Sequence, residues 1–120
     1  MINMPEVKKS LKNLSYLLDT LGAISFVGAS YVASDPVEKA GGIVMAGLVG
    51  AGAVINAKKE AGNFNYIVAA GYAGVGTAFL WASINDVLFG NFERLPNDGL
   101  WAAGCYLTGL GQALRRLATR

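Results

Sequence analysis

The sequence predicts an all-α membrane protein of four transmembrane helices, arranged as two tandem helical hairpins with both termini in the cytoplasm. Three observations predict this. Of the 120 residues, 53% are hydrophobic and the mean hydropathy is +0.41, which lies on the membrane side of ordinary composition. The 10 basic and 8 acidic residues crowd into short patches with long apolar runs between them. None of those runs carries the water-facing stripe of charge that a helix of a soluble bundle needs.

The first run, Leu14 to Ala33, contains one charge, Asp19. The second, Ala40 to Ala57, lies uncharged between Lys39 and Lys58. The third is uncharged from Ala61 to Asn85, and the fourth from Gly99 to Leu114. A membrane-crossing helix needs about 20 mostly apolar residues, or about 17 when its flanking side chains snorkel. The first and third runs meet that length; the second and fourth end in Lys58-Lys59 and Arg115-Arg116, whose stems extend them. Gly90, Pro96 and Asn97-Asp98-Gly99 signal turns in a long loop between the last two runs.

Basic residues set the orientation. Lys8, Lys9 and Lys12 precede the first run, Lys58 and Lys59 join the second to the third, and Arg115, Arg116 and Arg120 follow the fourth. The other two loops hold only Lys39 and Arg94. The positive-inside rule therefore puts the termini and the central loop in the cytoplasm. The net charge of +2 reports this orientation rather than affinity for nucleic acid. The first run follows a basic segment as a signal peptide does, but Tyr31 and Ala33 make a poor cleavage pattern, so it is expected to be a retained span.

The chain has one cysteine, Cys105, and no histidine. This excludes a disulfide framework, the usual zinc sites, histidine-ligated haem and every Ser-His or Cys-His nucleophile. No cofactor, metal or catalytic residue is expected. Gly71, Gly74 and Gly76 lie inside an apolar run with no strand before them and no Lys-Ser/Thr after, so they make no phosphate loop.

The two halves look alike. Asn13-Leu-Ser-Tyr16 recurs as Asn63-Phe-Asn-Tyr66, and Gly42, Ala46-Gly47 and Lys58-Lys59 recur as Gly99, Ala103-Gly104 and Arg115-Arg116. One four-helix domain with hairpin repeats over about 13–59 and 63–116 accounts for this. Small residues recur at helical spacing as Gly42, Ala46 and Gly50; as Ala70, Gly74, Ala78 and Ala82; as Cys105, Gly109 and Ala113; and as Ser25, Ala29 and Ala33. In lipid such stripes let helices approach closely. They are expected to serve packing within the chain, although packing between chains has the same signature.

Asp19 lies five residues past Leu14, about 7–8 Å above the cytoplasmic edge of its span. Arg115 and Arg116 end the fourth span at the same level, so a structural ion pair is the expected role. A proton- or cation-coupling site is the alternative. Asp86 and Arg94 are expected at the outer surface, solvated or loosely paired. Trp81, Tyr72, Trp101, Tyr16 and Tyr66 occupy levels where aromatic side chains anchor helices to the membrane interface.

Leu80-Trp81-Ala82-Ser83, Glu38-Lys39 and the basic pairs Lys58-Lys59 and Arg115-Arg116 give the layout a resemblance to the YiaA/YiaB family of small inner-membrane proteins, built from two-helix domains. That resemblance implies a tandem hairpin and no assigned activity. The sequence departs from the family where hairpins end in Lys59-Glu60 and Arg116-Leu117. Asp19-Thr-Leu-Gly22 and Gly74-Val-Gly76 are similar to the pattern of small multidrug-resistance exporters, which implies proton exchange for a cationic drug at paired carboxylates. The expected function is a non-enzymatic packing or accessory subunit of a homo-oligomer or larger membrane complex. A proton-coupled exporter using Asp19 is the alternative, and a holin-like pore former a third reading.

Overall fold

The computed structural model describes residues 4–58 and 63–118, apart from the side chains of 54–58 and 63–64. Lys59, Glu60 and Arg120, and the side chain of Lys58, therefore lie outside the described residues. Four helices account for nearly all of it: α1 (Met4–Val32), α2 (Pro36–Lys58), α3 (Asn63–Leu88) and α4 (Leu95–Ala118). The molecule is elongated, 51 × 27 × 21 Å along its principal axes. One stretch, Asn65–Leu88, is long and apolar enough to cross a membrane by length and composition.

Local chemistry fixes the helix ends. Asp35 caps α2, its Oδ1 accepting the Val37 amide at 2.8 Å, and Pro36 occupies the first helical position where no amide partner is required. Lys39 reaches back to the open carbonyls that finish α1, donating from Nζ to Ser30 and Tyr31 at 3.4 and 3.3 Å. Gly90, with φ of +73°, ends α3 in a left-handed turn in which the Asn91 amide reaches the Asp86 carbonyl at 2.8 Å. The fourth helix then begins at Leu95, earlier than the turn residues at 96–99 suggest. Pro96 is tolerated in a first turn, and Asp98 complements the positive helix end there.

Helices α1 and α4 form the centre; α2 packs on α1, and α3 on α4. Among the buried positions of α1, Ser15, Asp19, Gly22, Phe26 and Ala29 form a row spaced alternately by four and three that Ala33 continues just past the helix, with Leu18 and Ser30 buried beside it. The face of α3 that meets α4 repeats the pattern as Asn65, Ala69, Tyr72, Gly76, Phe79, Ser83 and Asp86. Helix α4 carries two such rows side by side. Asn97, Trp101, Gly104, Thr108, Gly111, Arg115 and Ala118 form one; Asp98, Ala102, Cys105, Gly109 and Gln112 form the other. This average period of 3.5 keeps one face of each helix on its neighbour along its length.

Glycines on these rows mark the closest approaches. A Cβ built on Gly104 would lie 2.9 Å from the Phe26 ring, one on Gly109 would lie 3.1 Å from Tyr72 Cβ, and one on Gly42 would lie 2.6 Å from the Phe26 carbonyl oxygen. Backbones this close gain many dispersion contacts along the seam.

The expected packing stripes divide accordingly. Gly42 is buried, Ala46 joins the cluster around Phe26, Val49 and Cys105, and Gly109 is buried between α4 and α3. By contrast Gly50, Ala70, Gly74 and Ala78 are exposed, and a Cβ at Gly50 or Gly74 would meet nothing within 4 Å. The α3 stripe follows a strict spacing of four, whereas the seam follows 3.5, so α3 turns that stripe away from α4.

Trp101 also departs from its expected interfacial place. Its ring lies between Phe26 of α1, edge-on at 5.1 Å, and Phe79 of α3, stacked at 5.2 Å, and ties three helices together. Trp81 does face outward.

Candidate functional site

The seam between α1 and α4 encloses the one ion pair that the sequence singles out. Asp19 and Arg115 are each 2% exposed, and Arg115 Nη2 donates to Asp19 Oδ2. The guanidinium also lies over the Tyr16 ring, 4.8 Å from its centre. Arg115, rather than the half-buried Arg116, is thus the partner of Asp19. The pair joins the middle of α1 to the last turn of α4, where the two helices pack side by side.

Two further features complete this enclosure. Gly111, one turn before Arg115, lets Asp19 Oδ1 lie against the α4 backbone, and Ser15 closes the next turn of α1 with its hydroxyl returned to the Lys12 carbonyl at 2.6 Å. A guanidinium stays charged at every accessible pH, and its donation to the carboxylate ties α4 to α1. Tyr16, expected at an interfacial level, lays its ring over the arginine.

A second polar level crosses α3 and α4. Asn65 Nδ2 donates to Gln112 Oε1 at 2.6 Å within the buried seam. Both side chains contribute to the floor of a groove of about 200 Å³ between α2 and α3, whose walls include Leu48, Val49, Val68 and Tyr72. Next to it, Met45, Val68, Tyr72, Val75 and Cys105 line an apolar recess of about 350 Å³.

The far end of the molecule gathers Asp86, Asp98, Asn97, Glu38 and Arg94. Here Arg94 is exposed and loosely paired, as expected, but Asp86 departs from the expectation of a solvated surface position. Asp86 is 6% exposed and Asp98 is 7% exposed, whereas Arg94 Nη2 is 3.3 Å from Glu38 Oε1 on α2. The cause is the early start of α4, whose first turn folds Asn97 and Asp98 over the end of α3. Burial, followed by the neighbouring Asp86 carboxyl, raises the Asp98 pKa from 3.8 to about 6; Glu38 adds to the rise and Arg94 opposes it. The sequence offered no signal for this pair beyond an acid at each end of the loop. No family model matches the chain, and neither a curated protein nor a solved structure matches it.

Proposed function

We propose that this chain is a multi-pass membrane protein in which all four helices are embedded, with the N-terminal end of α1 and the C-terminal end of α4 on the cytoplasmic side. Its role is that of a non-enzymatic accessory subunit, working through helix contacts in a homo-oligomer or a larger membrane complex. One observation carries this reading: polarity is inverted relative to a water-soluble bundle. Leu17, Leu21, Ile24 and Val27 on α1, Ile43, Val44 and Leu48 on α2, Ile67, Val75, Leu80 and Ile84 on α3, and Leu110 on α4 are exposed. Ser15, Asp19, Ser30, Asn65, Thr108, Gln112 and Arg115 are buried. Lipid favours this arrangement, because polar groups are costly at its boundary and interior packing relies on small residues and hydrogen bonds. Water would penalise so extensive an apolar exterior.

The outward face of α3, with Ala70, Gly74 and Ala78, supports the subunit role, since it offers close backbone approach to a neighbouring helix. The enclosed Asp19–Arg115 pair supports a structural rather than an exporting role for Asp19.

Reporter fusions and crosslinking test the two parts of this reading. A reporter after Arg120 is expected to read as cytoplasmic, and one inserted at Asn91, between α3 and α4, as external. Ala78→Cys in native membranes is expected to crosslink α3 to another subunit. An external C-terminal reporter would overturn the topology; failure of crosslinking at positions 70, 74 and 78 alike would overturn the packing role.

A further inference from the structure

We propose that the groove between α2 and α3 holds one acyl chain of a phospholipid from the cytoplasmic leaflet, with the ester carbonyl of that chain received by Gln112. This rests on the membrane reading above. Helix α2 packs on α1 and α3 on α4, so α2 and α3 face each other without packing along one another. Two adjoining spaces run between them. The groove of about 200 Å³ lies at the level of Gly52 and Asn65, and the recess of about 350 Å³ continues it past Val68 and Tyr72 to Met45 and Val75.

One end of this path is polar and the other apolar. Gln112 lines the polar end; it is 7% exposed, and its Oε1 accepts from Asn65 Nδ2 at 2.6 Å. Its Nε2 carries two hydrogens and donates to nothing among the described residues. An unmade donor in such apolar surroundings is costly, and an oxygen acceptor brought by the occupant satisfies it. From Asn65 to Val75 the path rises ten residues along α3, about 15 Å at the helical rise. That is the depth of one leaflet, half of a hydrocarbon core of about 30 Å. Asn65 lies near the start of α3 and Gln112 near the end of α4, the cytoplasmic ends in the membrane reading. The polar end thus sits where the ester carbonyls of that leaflet lie, and the apolar end where its chains finish. A helix from a second copy has its backbone carbonyls bonded internally and brings Gln112 no such acceptor.

Native mass spectrometry of the full chain, released into mild detergent from vesicles of phosphatidylcholine and phosphatidylglycerol, tests this. The unsubstituted chain is expected to retain one phospholipid. Gly71→Leu fills the recess from a position where a Cβ meets nothing within 4 Å. Gln112→Glu keeps an acceptor for Asn65 and removes the donor. Each is expected to lower phospholipid retention about tenfold. Gly50→Leu, on the exposed face of α2 and equally unobstructed, should leave retention unchanged. A chain that inserts with the reporter topology above yet retains no phospholipid, or loses it equally in Gly50→Leu, would overturn the groove and leave the membrane reading intact. Retention of a free fatty acid, or crosslinking of two copies through Gly71→Cys, would overturn the choice of occupant. A chain that does not enter the vesicles would overturn the membrane reading and this inference with it.

Discussion

Asp19 Oδ1 occupies the place where a side chain at Gly111 would begin, 2.6 Å from the Cβ that any other residue would carry there. The Ser15 carbonyl oxygen closes the same space at 3.0 Å. The contact of Asp19 with Arg115 therefore depends on the absence of a side chain one helical turn earlier on α4. Charge and shape are coupled in this seam: the glycine admits the carboxylate, and the arginine one turn beyond receives it.

Gly111→Ala is expected to force α1 and α4 apart or displace Asp19, costing about 1–3 kcal/mol as an overpacked core position does. Gly74→Ala is expected to leave the isolated chain within about 0.5 kcal/mol of the original, because a Cβ there meets nothing within 4 Å. Thermal melting in one detergent compares them. Equal losses at both positions would contradict the close-approach account.

Asp19→Asn removes the carboxylate charge to which the buried Arg115 donates and is expected to cost about 3–5 kcal/mol. Adding Arg115→Gln should recover part of the loss, giving a coupling energy of opposite sign in the double-mutant cycle. Additive losses would remove the ion pair as the reason both residues are there.

Phe26→Ala is expected to cost about 3–5 kcal/mol, since the ring is fully buried against Trp101 and the surface of Gly104. Trp81→Ala, on the exposed face of α3, should cost far less. Denaturant titration of the two variants in matched micelles checks this ordering.

The pH dependence of stability follows from Asp98. Its folded-state pKa is raised to about 6 from 3.8, so the folded chain binds the proton more tightly than the unfolded chain does. That contribution is complete below about pH 4 and is lost as pH rises through 6. The Tm of the unsubstituted protein relative to Asp98→Asn is accordingly expected to fall between pH 4 and pH 7. A constant difference across that range would contradict it.

Arg94→Ala breaks an exposed ion pair with Glu38 and is expected to change stability by about 0–1 kcal/mol, less at high salt. Melting at low and high ionic strength measures both quantities.

The sequence by itself determined the four apolar runs, the helical class and the level at which Asp19 and Arg115 meet. Those features depend on composition and on distance along a helix, both of which are local. The α2 cap was equally local, in Asp35-Pro36. The tertiary structure alone decided which small residues pack. Ser15, Asp19, Gly22, Phe26, Ala29 and Ala33 share neither hydrophobicity nor size, so a period of 3.5 among them is invisible to any scale of either. What unites them is the face α1 turns to α4. The α3 stripe of Ala70, Gly74 and Ala78 is more regular in sequence than the true seam, yet it faces outward because Phe79 must stack on Trp101 and Asn65 must reach Gln112. The burial of Asp86 and Asp98 belongs to the same category: they are twelve residues apart across a turn, and only the start of α4 at Leu95 covers them both.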